Sequence, residues 1–210
     1  VARGARGTKK GTKSLNPYTP MLISWSGKTD LKTLGNVEQS GAPLLLTGDN
    51  LYCGFYLNEL LIRLLAENDP HEKLFDIYFN VLTKLAGQGP VEPSLRMFEF
   101  SLLEEMGYAL VLDTDAESGE PILAERQYWF EPTRGFTLRQ DVRTPSNAPN
   151  WFQGSELLAI GVGDYKAGSI AAAAKRLIRL ALQPHIGEKP LLSRGLFARS
   201  VATGINDNSA

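Results

Sequence analysis

The apolar positions along the chain change period, and each change marks an element. Met21-Leu-Ile-Ser-Trp25 and the run Leu31 to Val37 are strand-like and flank the turn Ser26-Gly-Lys-Thr-Asp30, which predicts a β-hairpin. After Pro43 the period becomes helical. Asp49 is placed to cap a helix to about Ala66, in which Leu51, Phe55, Leu60, Ile62, Leu64 and Leu65 are dense enough to bury much of the circumference. Asp69-Pro70 opens a second helix to about Ala86, with aspartate as cap and proline in the first turn. A third runs from about Pro93 to Met106 and stops at Gly107. Between Tyr108 and Arg139 the helical period breaks. Gln127-Tyr-Trp-Phe130 and Phe136-Thr-Leu138 are β-type runs near turns at Gly119 and Gly135, a small hairpin inserted in a helical domain. A short helix from Ser155, a long one over Lys166 to Gln183 and a last one over Pro190 to Val201 complete the pattern.

At 210 residues, 43% of them hydrophobic, the chain is large enough to build a core unaided. Cys53 is the only cysteine, so neither a disulfide nor a thiolate zinc cluster assembles within one chain, and a reducing cytoplasm is the simplest setting. No apolar run approaches the roughly 20 residues that span a bilayer, so no membrane role is expected. The net charge of −1 hides a segregation. Before the first acid, Asp30, stand Arg3, Arg6, Lys9, Lys10, Lys13 and Lys28; from Lys166 to Arg199, seven basic residues face Glu188 alone. Between Glu92 and Glu131, ten acids face only Arg96 and Arg126. A polyanion would therefore meet the ends of the chain.

Catalytic patterns are incomplete. His71 and His185 lie in no metal or triad motif, and a solvated helix face and a turn explain Glu104-Glu105 and Asp113-Thr-Asp115. Gly7-Thr-Lys-Lys-Gly-Thr-Lys-Ser14 imitates a phosphate-binding loop, but Thr12 separates Gly11 from Lys13, and Gly161-Val-Gly163 lacks the third glycine of a dinucleotide site. Binding is the better reading. Arg3, Arg6, Lys9, Lys10 and Lys13, spaced by glycines, suit a phosphate backbone, although an ordinary solvated loop has the same look. Lys28 and Lys32 would extend that track; Tyr18 and Trp25 are base-stacking candidates better placed in a barrel core. Lys175, Arg176 and Arg179, on the outer side of the long helix, would widen the basic surface or simply be solvated.

The third helix carries more apolar surface than one core face needs. Leu95, Phe98, Leu102 and Met106 form one stripe, and Arg96, Phe100 and Leu103 a second at i, i+4 and i+7. An apolar slot beside an arginine suits a peptide ending in an aromatic residue with a free carboxylate. The same spacing fits a helix wrapped on all sides.

Several strings, taken in order, resemble the RecO family of bacterial recombination mediators over nearly the whole chain. They are Val1-Ala-Arg-Gly-Ala-Arg6, Asp30-Leu-Lys-Thr-Leu34, Leu51-Tyr-Cys-Gly-Phe-Tyr-Leu-Asn-Glu-Leu-Leu61, Leu95-Arg-Met-Phe-Glu-Phe-Ser-Leu-Leu103 with Gly107-Tyr108, and Gly187-Glu-Lys-Pro-Leu-Leu-Ser-Arg194. The resemblance implies an α+β protein: an N-terminal OB-fold β-barrel over residues 1–45, its first strands missing here, then a mainly α-helical domain over 46–210 with a β insertion near 108–140. It implies a non-enzymatic, cofactor-free mediator in the bacterial cytoplasm, associated with the nucleoid. Such a protein binds single- and double-stranded DNA, anneals complementary strands, docks on the C-terminal tail of single-stranded DNA-binding protein and, with RecR, promotes RecA loading. By similarity the loop Arg3 to Lys13 falls on the barrel's DNA side, and Arg96 and Leu103 fall where the tail pocket lies. Some relatives carry a C-x-x-C zinc site where this chain has Asp115-Ala-Glu-Ser118, so no zinc is expected. The alternative is an OB-fold RNA-binding or scaffold protein.

Overall fold

A computed structural model describes the backbone of Ala2–Arg3 and residues 15–29, 32–87, 90–139 and 148–196. The chain divides into two compact units, Val1–Thr47 and Gly48–Ala210.

The first unit holds a three-stranded sheet in the order β1-β3-β2. Strands β2 (Met21–Ser26) and β3 (Lys32–Gln39) form the antiparallel hairpin that the sequence predicts, with a register shift between Ile23 and Trp25. The short β1 (Ala2–Arg3) pairs parallel to β3, with Arg3 opposite Thr33. The expected closed barrel is not present among the described residues: one strand is two residues long, and three strands cannot curl back to remove their own edges. Trp25, expected in a barrel core, is 66% exposed.

The second unit is helical with an inserted sheet. Helix α1 (Gly48–Leu64) begins one residue before Asp49, which lies within its first turn and not at the cap expected of it, and buries Cys53, Tyr56, Leu57 and Leu60. Helix α2 (Glu72–Ala86) begins two residues beyond the predicted Asp69-Pro70 start, because the chain first turns through Asn68 at φ 66°. His71 there lies against the carboxylates of Asp69, at 3.4 Å, and Glu105, at 3.1 Å. Helix α3 (Val91–Glu105) ends before Gly107, whose φ of 83° an L side chain rarely adopts. It packs against α2 and the long α5 (Gly168–Ile186), which places it near the centre of the unit.

The predicted hairpin is β4 (Gln127–Glu131) and β5 (Gly135–Leu138), joined through Gly135 at φ 94°. A third strand that the periodicity did not reveal, β6 (Trp151–Gln153), adds to β4 and makes the order β5-β4-β6. One face of this sheet buries Tyr128, Phe130, Phe136 and Phe152, and the three phenylalanine rings meet edge to face or tilted. Helix α4 (Gly154–Gly161) follows directly, and its first residue fits only as glycine, since a Cβ there would lie 2.0 Å from the Leu123 carbonyl oxygen. A further helical turn occupies 192–196. The molecule is thus α+β, with helices and small sheets, and no described helix is long and apolar enough to cross a membrane.

Candidate docking site and basic surface

The buried face of α3 carries a charged cluster where a core would ordinarily be apolar. Arg96 and Glu99 are 4% and 1% exposed, and the Arg96 Nη1 stands 2.6 Å from the Glu99 Oε2. On α1, the Tyr56 hydroxyl donates to the other carboxylate oxygen of Glu99 at 2.5 Å. Toward solvent, the Arg96 Nε faces the Glu92 Oε1 at 3.4 Å, a contact that satisfies no directed hydrogen bond. Unpaired charges are too costly to bury, and the cluster answers this by spacing Glu92, Arg96 and Glu99 on one helical stripe. Burial nevertheless pushes the Glu99 carboxyl up to about 7, against the pull of Arg96 and the Tyr56 hydroxyl. Burial, with Glu99 behind it, holds the Tyr56 phenol well above its ordinary range, and burial pushes the Cys53 thiol to about 11, so neither is an activated nucleophile.

The predicted second stripe of α3 is therefore mostly covered: Arg96 and Leu103 are buried and Phe100 is half-buried. The shielded Arg96 Nε faces Glu92, whose own side chain is 39% exposed. Sequence reasoning missed Glu99 and Tyr56. The signal available was an Arg-x-x-Glu pair flanked on both sides by apolar residues, a spacing that places two opposite charges together on an inward face.

The basic candidates are dispersed. Arg3 contributes backbone to β1, and Arg6, Lys9, Lys10 and Lys13 lie outside the described residues. Lys28 is exposed in the β2–β3 turn, and Lys32, at the start of β3, donates through Nζ to the Gly27 carbonyl at 3.3 Å. On α5, Lys175 and Arg179 are exposed. Arg176 is tied inward: its Nη2 donates to the Trp151 carbonyl at 3.0 Å, its guanidinium lies 4.4 Å over the Phe152 ring, and Glu156 stands at 3.6 Å.

Asp115, in the segment matched to the relatives' C-x-x-C site, accepts backbone N–H bonds from Glu117, Ser118 and Leu138 at 2.8, 2.9 and 2.6 Å. Burial opposes its charge, but these donors outweigh it and lower its pKa. Among the described residues no group of His, Cys, Asp and Glu is placed to hold a metal ion.

Residues 45–195 match the family described as "Recombination protein O C terminal", which defines a class of recombination proteins. The chain is 45% identical over 197 residues to the DNA repair protein RecO of Pseudomonas aeruginosa (strain LESB58), covering 94% of this chain and 81% of that protein. It is 46% identical over 197 residues to the DNA repair protein RecO of Coxiella burnetii (strain RSA 493 / Nine Mile phase I), covering 93% of this chain and 83% of that one. The chain belongs to the RecO family, and its role lies in DNA repair and recombination.

Proposed function

We propose that this chain is a recombination mediator that works by binding, without a covalent step. Its first unit is part of the family's OB-fold, and Arg3, Arg6, Lys9, Lys10 and Lys13, with Lys28 and Lys32, hold phosphates of single- or double-stranded DNA. Lys175, Arg176 and Arg179 extend the basic surface. Gathering two strands on such surfaces lowers their mutual repulsion and lets them anneal. The helical unit docks the acidic, aromatic-ending tail of single-stranded DNA-binding protein, and the protein acts with RecR to load RecA in the bacterial cytoplasm.

Family membership carries this reading. The Arg96 cluster supports the docking half. A tail carboxylate arriving past Glu92 meets a guanidinium Nε without a directed bond, while Phe100 offers a half-buried ring for the terminal aromatic side chain. Exchange of one carboxylate for another at Arg96 keeps the buried charge compensated throughout.

The test is a fluorescence-anisotropy titration of a labelled acidic peptide ending in Phe, with Phe100→Ala and Arg96→Lys variants, beside labelled single-stranded DNA across a salt series. Tail binding weakened in both variants, with DNA binding intact and falling steeply with salt, is the expected result. Equal tail binding by all three proteins refutes the assignment of the pocket. Salt-insensitive DNA binding, or RNA outcompeting DNA of equal length, refutes the mediator reading.

A further inference from the structure

Helix α2 carries more aromatic surface than its packing uses. Leu74, Val81, Leu82 and Leu85 are buried and fix the helix in the unit, yet Phe75 and Phe79, one turn apart, are 65% and 39% exposed. On α1, Ile62 is 81% exposed. These three side chains belong to one groove. The Tyr78 hydroxyl donates to the Asn58 Oδ1 at 2.6 Å and the Asn50 Nδ2 to the Leu85 carbonyl at 2.8 Å, so α1 and α2 run antiparallel with Asn58 opposite Tyr78. Ile62 lies one turn on from Asn58 and Phe75 one turn back from Tyr78, which brings them to the same level, and Phe79 follows Phe75 along α2. Together they expose a few hundred Å² of apolar surface, and patches of that size on soluble domains often serve an interface.

The rim of this groove is acidic. Glu72 stands three residues before Phe75 and Asp76 three before Phe79, so each ring has a carboxylate one turn away on its own side of α2. Both acids are exposed, and neither belongs to an ion pair among the described residues. From Leu64 to Thr83 stand the acids Glu67, Asp69, Glu72 and Asp76, whereas the only lysine or arginine is Lys73. Lys73 lies two residues before Phe75 and therefore on the opposite side of the helix. Such a rim repels a phosphate backbone and an acidic peptide alike. It attracts lysine and arginine, whose stems and charges also suit exposed phenylalanine rings.

We propose that this groove docks an amphipathic helix of a partner protein, its apolar ridge on Ile62, Phe75 and Phe79 and its flanking lysines or arginines on Glu72 and Asp76. A helix laid in a groove offers anchors at i, i+3 or i+4 and i+7, a spacing that two phenylalanines one turn apart can receive. The sign of the rim selects the partner and steers its approach. A second copy of this chain fits less well, because a two-fold contact brings like-charged rims together. None of these residues belongs to the Arg96 cluster or to the basic residues assigned to DNA, so the site does not depend on either.

The test uses the full chain and a labelled helical peptide of about 18 residues with a leucine ridge and lysine flanks, beside the same peptide with glutamate flanks. In fluorescence anisotropy the lysine peptide is expected to bind at least roughly tenfold more tightly than the glutamate peptide and to weaken as salt rises. Phe75→Ser/Phe79→Ser and, on the other helix, Ile62→Ser should each weaken the lysine peptide, the double variant roughly tenfold. Glu72→Lys/Asp76→Lys should reverse the preference between the two peptides. All five positions are exposed, so thermal melts of the variants should match the parent's. Equal binding of the two peptides, no binding of either, or lysine-peptide binding that survives these variants overturns the proposal. So does a parent chain that sediments as a dimer and becomes monomeric in Phe75→Ser/Phe79→Ser, which assigns the groove to a second copy.

Discussion

The fully buried Glu99 makes a quantitative prediction. Moving a carboxyl from 4.5 to about 7 corresponds to about 3 kcal/mol of difference between its protonated and ionised forms. The folded chain binds this proton more tightly than the unfolded chain does. The stabilisation is therefore complete below pH 4.5 and is lost as pH rises toward 7. Glu99→Gln keeps the shape and an oxygen for the Tyr56 hydroxyl but cannot ionise. Urea unfolding followed by circular dichroism between pH 5 and 8 should show the parent losing up to about 3 kcal/mol more than the variant over this interval. The groups that Glu99 raises, Cys53, Tyr56 and Tyr165, titrate above this interval, so the difference reports on Glu99. Parallel curves would refute the reasoning. They would mean that the Arg96 contact at 2.6 Å keeps Glu99 ionised throughout and that attraction outweighs desolvation.

Three further outcomes follow from particular contacts. Asp115→Asn should destabilise by about 1–3 kcal/mol by weakening acceptance of three backbone N–H bonds. Because the Asp115 pKa is lowered, that contribution should fade as pH drops through the acid range, which thermal melts at pH 3 to 6 would record. Gly154→Ala should lower stability by about 1–3 kcal/mol in denaturant titration, since the Leu123 carbonyl is backbone and cannot swing aside. Glu59→Ala removes the acceptor of the Leu192 and Ser193 N–H groups, and limited proteolysis near 192–196 should accelerate severalfold.

The helices were legible because their signals are local: Asp49, Gly107 and the apolar spacing of α3 and α5 mark ends and faces without help from the rest of the fold. The β4–β5 hairpin was legible through Gly135. Strand β6 was not, because three residues show no period and their pairing with Gln127 to Trp129 is long-range. The candidate site divides in the same way. Arg96, Phe100 and Leu103 share a helical spacing that can be read directly, but spacing does not tell a covered stripe from an open one. That depends on α1, which brings Tyr56 to Glu99 across 43 positions of sequence.

The attachment of α1 to the far end of the chain also bears on synthesis. Arg63 donates to the carbonyls of Lys189 and Pro190 at 2.6 and 3.0 Å, and Glu59 accepts the Leu192 and Ser193 N–H groups, each at 2.9 Å. One turn of the unit's first helix thus anchors a turn made more than 120 residues later. On the ribosome, α1 emerges long before its anchor partner exists, so Glu59 and Arg63, 2.9 Å apart in the folded chain, lack these backbone partners until then. The helical unit can close only when nearly all of it has been translated, so the nascent chain passes through a long interval with its first helix incompletely covered.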